Sequence, residues 1–103
     1  MSEIKKIENW LEEGKQLGIN FSFENNGKKI WSSVAIQKWN NIYKAYIDEI
    51  EEDKMDSEEY RREEIHQFEN LNDAFELINK TTLVNLNDLA PCKGQKIFNP
   101  SFD

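Results

Sequence analysis

The chain has 103 residues, 38% hydrophobic and 12% aromatic, enough for one domain (residues 1–103) with a single modest core rather than a disordered tail. One cysteine excludes an internal disulfide, no apolar run approaches the length of a membrane span, and no signal-peptide pattern opens the charged stretch Met1–Glu13, so a soluble cytoplasmic protein is expected. A net charge of −7 argues against direct nucleic-acid binding, which needs a basic footprint.

Ser2 can cap a first helix, in which Ile4, Ile7, Trp10 and Leu11 recur at helical spacing against a polar side of Glu and Lys. This helix is expected to end near Leu17, with Gly18 as its left-handed stop. A β-hairpin follows. Phe21 and Phe23 are two apart and share one face of a strand over 19–24. Asn25, Asn26 and Gly27 tolerate the positive φ of a tight turn. Ile30, Ser32, Val34 and Ile36 then alternate with Trp31, Ser33 and Ala35 in a second strand, Lys28 to about Gln37. A lone hairpin is marginal in water, so further strands or a helix must cover its apolar face.

The next stretch reads two ways. Ala35, Trp39, Ile42, Tyr43, Tyr46, Ile47 and Ile50 fit a helical stripe. Against a helix, Trp39-Asn40-Asn41 has turn character, residues 42–47 are rich in β-formers, and the hairpin lacks a third strand. The preferred reading is a meander with a turn at 39–41 and a third strand at 42–50. An acidic turn (51–57) leads to a fourth strand within 59–68. Asn70 then caps a helix over 71–80, with Asp73 near the positive end of its dipole and Leu71, Ala74, Phe75 and Ile78 on one face. Phe68 can pack back on it. Leu86 to Ala90 reads as a short helical turn stopped by Pro91, Lys93-Gly94-Gln95 as a turn, and Lys96-Ile97-Phe98 as a terminal strand or strap. The expected fold class is α+β: an N-terminal helix, an antiparallel β-meander of three to four strands, and a C-terminal helix packed on one face. The alternative is a mostly α chain with a β-hairpin.

Ten acids and three bases lie between Asp48 and Glu64, so the entire net charge of −7 resides there and the rest of the chain is balanced. Such a field favours a basic partner, although a solvated loop that keeps the protein soluble has the same composition. The candidate partner-binding residues are Asp48, Glu49, Glu51, Glu52, Asp53, Asp56, Glu58 and Glu59, with Tyr43 as an aromatic anchor beside them. Trp31, Trp39, Tyr43 and Tyr46 serve either as anchors or as core. If 42–50 is a strand, Tyr43 and Ile47 share one face and Ile42, Tyr46 and Ile50 the other, and only one set can meet the helices.

Catalytic signals are sparse. His66 and Cys92 are the sole residues of their kinds, too few for a zinc or iron site. They could form a nucleophile–base pair only if the fold brought them together; otherwise Cys92 is a half-buried thiol at a turn. Asp48 to Glu59 has the length of a calcium loop, but Ile50 and Asp53 occupy positions that need a ligand and a glycine. No phosphate-binding or nucleophile-elbow motif occurs. No catalytic residue, metal or cofactor is therefore expected.

A small acidic α+β chain with the segments Phe68-Glu69-Asn70-Leu71-Asn72-Asp73-Ala74-Phe75 and Leu89-Ala90-Pro91-Cys92-Lys93-Gly94-Gln95-Lys96-Ile97-Phe98 resembles the immunity proteins of bacterial toxin systems, such as contact-dependent growth inhibition. The resemblance implies a protein-binding inhibitor, not an enzyme. Its partner would be a cognate basic toxin domain, a nuclease with a positive cleft, met by the acids of 48–64 without direct nucleic-acid or membrane contact. Two other classes stand beside it. A nucleic-acid mimic inhibiting a host or phage defence enzyme would space its acids like phosphates, whereas these are bunched at one turn. A small enzyme or adaptor module is the third, and an enzyme would need His66 and Cys92, or two acids, in one pocket.

Overall fold

Two asparagine turns organise the sheet. The structure, a computed structural model, describes residues 2–94 and 96–101, without the side chains of 2–4 and 86. The expected Ser2 cap, the apolar contacts of Ile4 and Leu86, and Gln95 of the expected turn lie outside the described residues. Strand β1 (Leu17–Asn25) turns into β2 (Lys28–Trp39) through Asn26 (φ 55°) and Gly27 (φ 78°). Strand β2 turns into β3 (Ile42–Glu51) through Asn40 (φ 53°) and Asn41 (φ 68°). Left-handed φ at both central residues marks type I′ turns, whose twist matches that of paired strands, and Asn and Gly tolerate that conformation. Residues 35–50 are thus strand, turn and strand. The helical stripe seen in the sequence is a by-product of strands whose two faces are both apolar, which overturns the mostly α alternative.

Strand β4 (Arg62–Phe68) returns antiparallel to β3, with Tyr43 opposite Phe68 and Glu49 opposite Arg62. Helix α2 (Leu71–Thr81) follows, but it does not close the fold. After a 3-10 turn at Leu86–Asp88, Ala90–Pro91 forms a two-residue strand β5 on the free side of β1. The fold is α+β with a five-stranded antiparallel sheet, order β4-β3-β2-β1-β5. This corrects the expected three to four strands and the expected order of elements. The helical turn predicted to reach Ala90 stops at Asp88, because Ala90 and Pro91 pair with Gly18 and Leu17. Proline is tolerated there because β5 is an edge.

Both helices cover one face. Leu17, Val34, Ile36, Ala45 and Ile47 from three strands meet Ile7 and Leu11 of α1 (Ser2–Glu12) and Leu71, Ala74, Phe75 and Ile78 of α2. Helix α1 ends at Glu12, five residues before the predicted end at Leu17. Gly14 (φ 85°) takes the left-handed position, its N–H bonding Leu11 O (3.0 Å) while Lys15 N–H reaches back to Trp10 O (3.1 Å). This is a Schellman closure and satisfies carbonyls that the helix end would otherwise leave open. Gly18 is instead a strand residue. Helix α2 is capped as predicted: Asn70 Oδ1 accepts from Asp73 N (2.9 Å), and Asn70 Nδ2 donates back to the Asp73 carboxylate (3.0 Å). Phe68 packs against the same core.

Among the described residues, no helix covers the opposite face. Its cover is the C-terminal segment 96–101, which crosses as a strap and not as a strand. Gly18 leaves the space that the strap uses, since a β-carbon there would run into the Ile97 side chain. Ala35 beside it carries only a methyl group, and Phe98 lies over Tyr46 with ring centroids 5.4 Å apart and planes 8° from parallel. Gln16, only 4% exposed, ties the strap down. Its Nε2 donates to Gln37 Oε1 (2.8 Å) and Phe98 O (2.9 Å), and its Oε1 accepts from Ile97 N (2.8 Å) and Phe98 N (3.2 Å). Its backbone carbonyl accepts from Cys92 N (2.8 Å).

Replacing Gln16 by Leu strands these buried partners and should cost on the order of 3 kcal/mol in urea unfolding, well above an ordinary polar-to-apolar change. Gly18→Ala should leave the helix side intact but speed hydrogen exchange at the Ile97 and Phe98 amides. Unchanged exchange there would mean that the strap does not depend on the gap.

Candidate functional site

Six of the nine candidate residues cluster where β3 leaves the sheet. Glu51 is the last residue of β3, Glu52 and Asp53 belong to a 3-10 turn (Glu52–Lys54), and Asp56, Glu58 and Glu59 follow on the loop before β4. All but the half-buried Glu51 are exposed. Acids this dense cannot enter a core, so the loop is shaped by its own polar bonds. Glu58 N donates to Met55 O (3.1 Å), Glu59 N to Lys54 O (3.3 Å) and Ser57 Oγ to Lys54 O (3.1 Å). The tip of the β1–β2 hairpin lies alongside, with Lys28 Nζ 3.5 Å from Glu51 and 3.9 Å from Asp53. Lys54 is 3.9 Å from Glu59. These are long, solvated pairs that contribute little, and the surface stays negative. Met55 and Tyr60 stand out of the same loop, 45% and 42% exposed. The sequence reading passed over both; their place inside the charged stretch 51–62 was the available signal.

Tyr43, Asp48 and Glu49 are elsewhere, because strand alternation sends neighbours to opposite faces. Tyr43 packs toward the helices, with the Lys38 ammonium 5.6 Å from its ring centre. It is eight residues from Glu51 along β3, about 26 Å. Glu49 is on the helix face and takes Arg61 Nε (3.0 Å) and Arg62 Nη1 (3.5 Å). Asp48 is buried on the strap face, where its Oδ1 accepts from Ser33 N (2.8 Å).

Asp48 belongs to a second cluster centred on Tyr46. The Tyr46 hydroxyl lies 3.0 Å from Asp48 Oδ2 and 2.8 Å from Glu63 Oε2 of β4. One hydroxyl proton faces two carboxylates. Burial, then the Glu63 hydrogen bond and the Asp48 charge, drive the Tyr46 hydroxyl far above its usual range. Burial also raises the Asp48 carboxyl, with the Glu63 charge adding, while the Ser33 N–H and the Tyr46 hydroxyl pull it back. Between β4 and the strap runs an open groove of about 920 Å³, lined by Trp39, Tyr46, Glu63, Ile65 and Phe98, with Lys96 on its rim. The two-residue spacing of Tyr46 and Asp48 put them on one face, but Glu63 and the strap come from distant segments.

His66 and Cys92 are not brought together. His66 is on β4, its Nε2 2.8 Å from Glu64 Oε1. Cys92 follows β5 at the other edge of the sheet, about 19 Å away in strand spacings. Burial pushes the Cys92 thiol up, opposite to what a nucleophile needs. The Asp48–Glu51 segment is straight strand and cannot wrap a cation as a calcium loop does. Among the described residues, no three His, Cys, Asp or Glu are grouped to hold a metal, and no helix is long and apolar enough to cross a membrane.

No protein-family model, curated protein or solved structure matches the chain.

The Tyr46 cluster makes stability depend on pH. Asp48 holds its proton more tightly in the fold than in the unfolded chain, so its contribution is fully present below the ordinary aspartate value of about 3.9 and is lost as pH rises through the folded value. Asp48→Asn keeps the acceptor for Ser33 and turns an N–H toward the Tyr46 oxygen. Its unfolding midpoint should gain on that of the natural chain between about pH 4 and about pH 7. A constant difference across that range would contradict the assignment.

Proposed function

We propose that the chain is a protein-binding inhibitor of the immunity type, which neutralises a cognate basic toxin domain, a nuclease, through Glu51, Glu52, Asp53, Asp56, Glu58 and Glu59. The observation that carries this reading is an exposed, strongly acidic loop whose ion pairs with Lys28 and Lys54 are long and solvated, while Glu49 and Glu64 on the neighbouring strands are paired with arginine and Asp48 is buried. A carboxylate surface of this kind complements the positive cleft with which a nuclease holds its substrate. It steers encounter and makes the association rate sensitive to salt. Met55 and Tyr60, half-exposed among the acids, replace Tyr43 as the anchors whose burial would lengthen the complex's life.

The reading is tested by capturing partners from the source organism's lysate on the tagged chain at low and high salt, then assaying the captured protein. The expected partner is a basic nuclease domain, inhibited by the chain. Converting Glu52, Asp53, Asp56 and Glu58 to their amides should slow association at low salt by about tenfold or more and leave dissociation nearly unchanged. Met55→Ala with Tyr60→Ala should instead speed dissociation. An association rate indifferent to the four amides would reject this surface, and capture of a host nucleic-acid enzyme would favour a mimic over an immunity protein.

A further inference from the structure

We infer that the groove on the strap face receives a lysine or arginine side chain of the basic protein partner, with Glu63 binding its charged head. The inference rests on the reading of the chain as a binder of a basic protein and adds a second contact, distinct from the acidic loop.

The groove has the two parts such a side chain needs. Its walls are Trp39, Ile65 and Phe98, an apolar lining for the methylene stem, and an indole face also attracts a cation. Its polar end is the carboxylate pair around Tyr46. The hydroxyl has one proton to give and lies within bonding distance of both Glu63 and Asp48. Asp48 keeps the Ser33 N–H whichever way that proton points. Among the described residues, Glu63 has the Tyr46 hydroxyl as its hydrogen-bond partner and no cation comes within ion-pair distance of it. A carboxylate exposed at the end of an apolar trough, with most of its acceptor capacity unused, matches the donors of an ammonium or guanidinium group.

The neighbouring charges define the test. Arg62 is turned to the other face, engaged by Glu49 and Glu64. Lys44, two residues before Tyr46, is buried on the strap face. Tyr60 also feels the charges of Asp48 and Glu63. Among the described residues, Lys96 is the one cation that lines the groove, exposed and making no ion pair with Glu63. An incoming cation is attracted by Glu63 and repelled by Lys96, so the two residues act with opposite sign. A structural role for Glu63 predicts no such opposition.

The probe is a capped Gly-Gly-Arg-Gly-Gly peptide, titrated into the labelled full chain and followed by NMR at the Trp39 indole N–H, the Ile65 methyls and the amides of 52–59, with Gln in place of Arg as the control. We expect saturable shifts at Trp39 and Ile65 with the Arg peptide only. Glu63→Gln, which keeps an acceptor for Tyr46, should weaken them by about tenfold or more, and Lys96→Gln should strengthen them. Shifts confined to 52–59, or equal in Glu63→Gln, would overturn the groove while leaving the acidic-loop reading in place. No shift at either surface would count against both. Groove shifts without loop shifts would support the groove and shift the weight of binding away from the loop.

Discussion

One buried amide, that of Gln16, connects parts of the chain that would otherwise meet only by apolar contact. It sits between the end of α1 and the start of β1, and its two donors and one oxygen are bound by β2 and by the strap. The same Gln37 that accepts from it donates to Gly14 O at 3.4 Å, which links the helix closure to the sheet. Polar groups withdrawn from water are costly unless all are satisfied, and among the described residues every buried side-chain polar atom has a partner. Such a node favours one arrangement of the strap over the many that apolar packing alone would accept.

The strap in turn shapes the face opposite the helices. Phe98 can stack on Tyr46 because Gly18 and Ala35 leave a trough for Ile97 beside it. With its ring held, Tyr46 directs its hydroxyl between Asp48 and Glu63, and the space between strap and β4 remains as the groove. A sheet covered by helices on both faces would have had no such opening. The covering by a single extended segment is therefore what gives this small fold a concave surface.

Charge follows the same geometry. Along β3 and β4 the acids are sorted by strand alternation: Asp48 goes to a buried hydrogen-bonded place, while Glu49 and Glu64 go to the arginines on the helix face. Beyond Glu51 the chain leaves the sheet, and every acid is in water. The uniform acidic run of the sequence thus becomes a solvated outer set on the loop and an inner set on the strands, in which Glu63 bonds the Tyr46 hydroxyl at the groove. The outer set, dense and exposed, projects the stronger field that a partner can sense at a distance.

What the sequence determined by itself was local. The two Asn turns, the Asn70–Asp73 cap, the alternation of the hairpin and the apolar face of α2 rest on backbone tolerance and side-chain period, which act within a few residues. The position of the acidic loop also followed, since nothing else can be done with so many adjacent carboxylates. The early end of α1 was missed because Gly14 and Gly18 are equally able to stop a helix; Leu17 settled the matter by pairing opposite Ile36 in the core. Likewise β5 and the strap depend on contacts across some eighty residues, through Gln16 and Gly18, that leave no periodic trace. Which aromatic faced a helix, and that Tyr46 would join Glu63 in a groove, were decided only when the strands paired. Register and long-range packing set those outcomes, and neither is written in any local pattern.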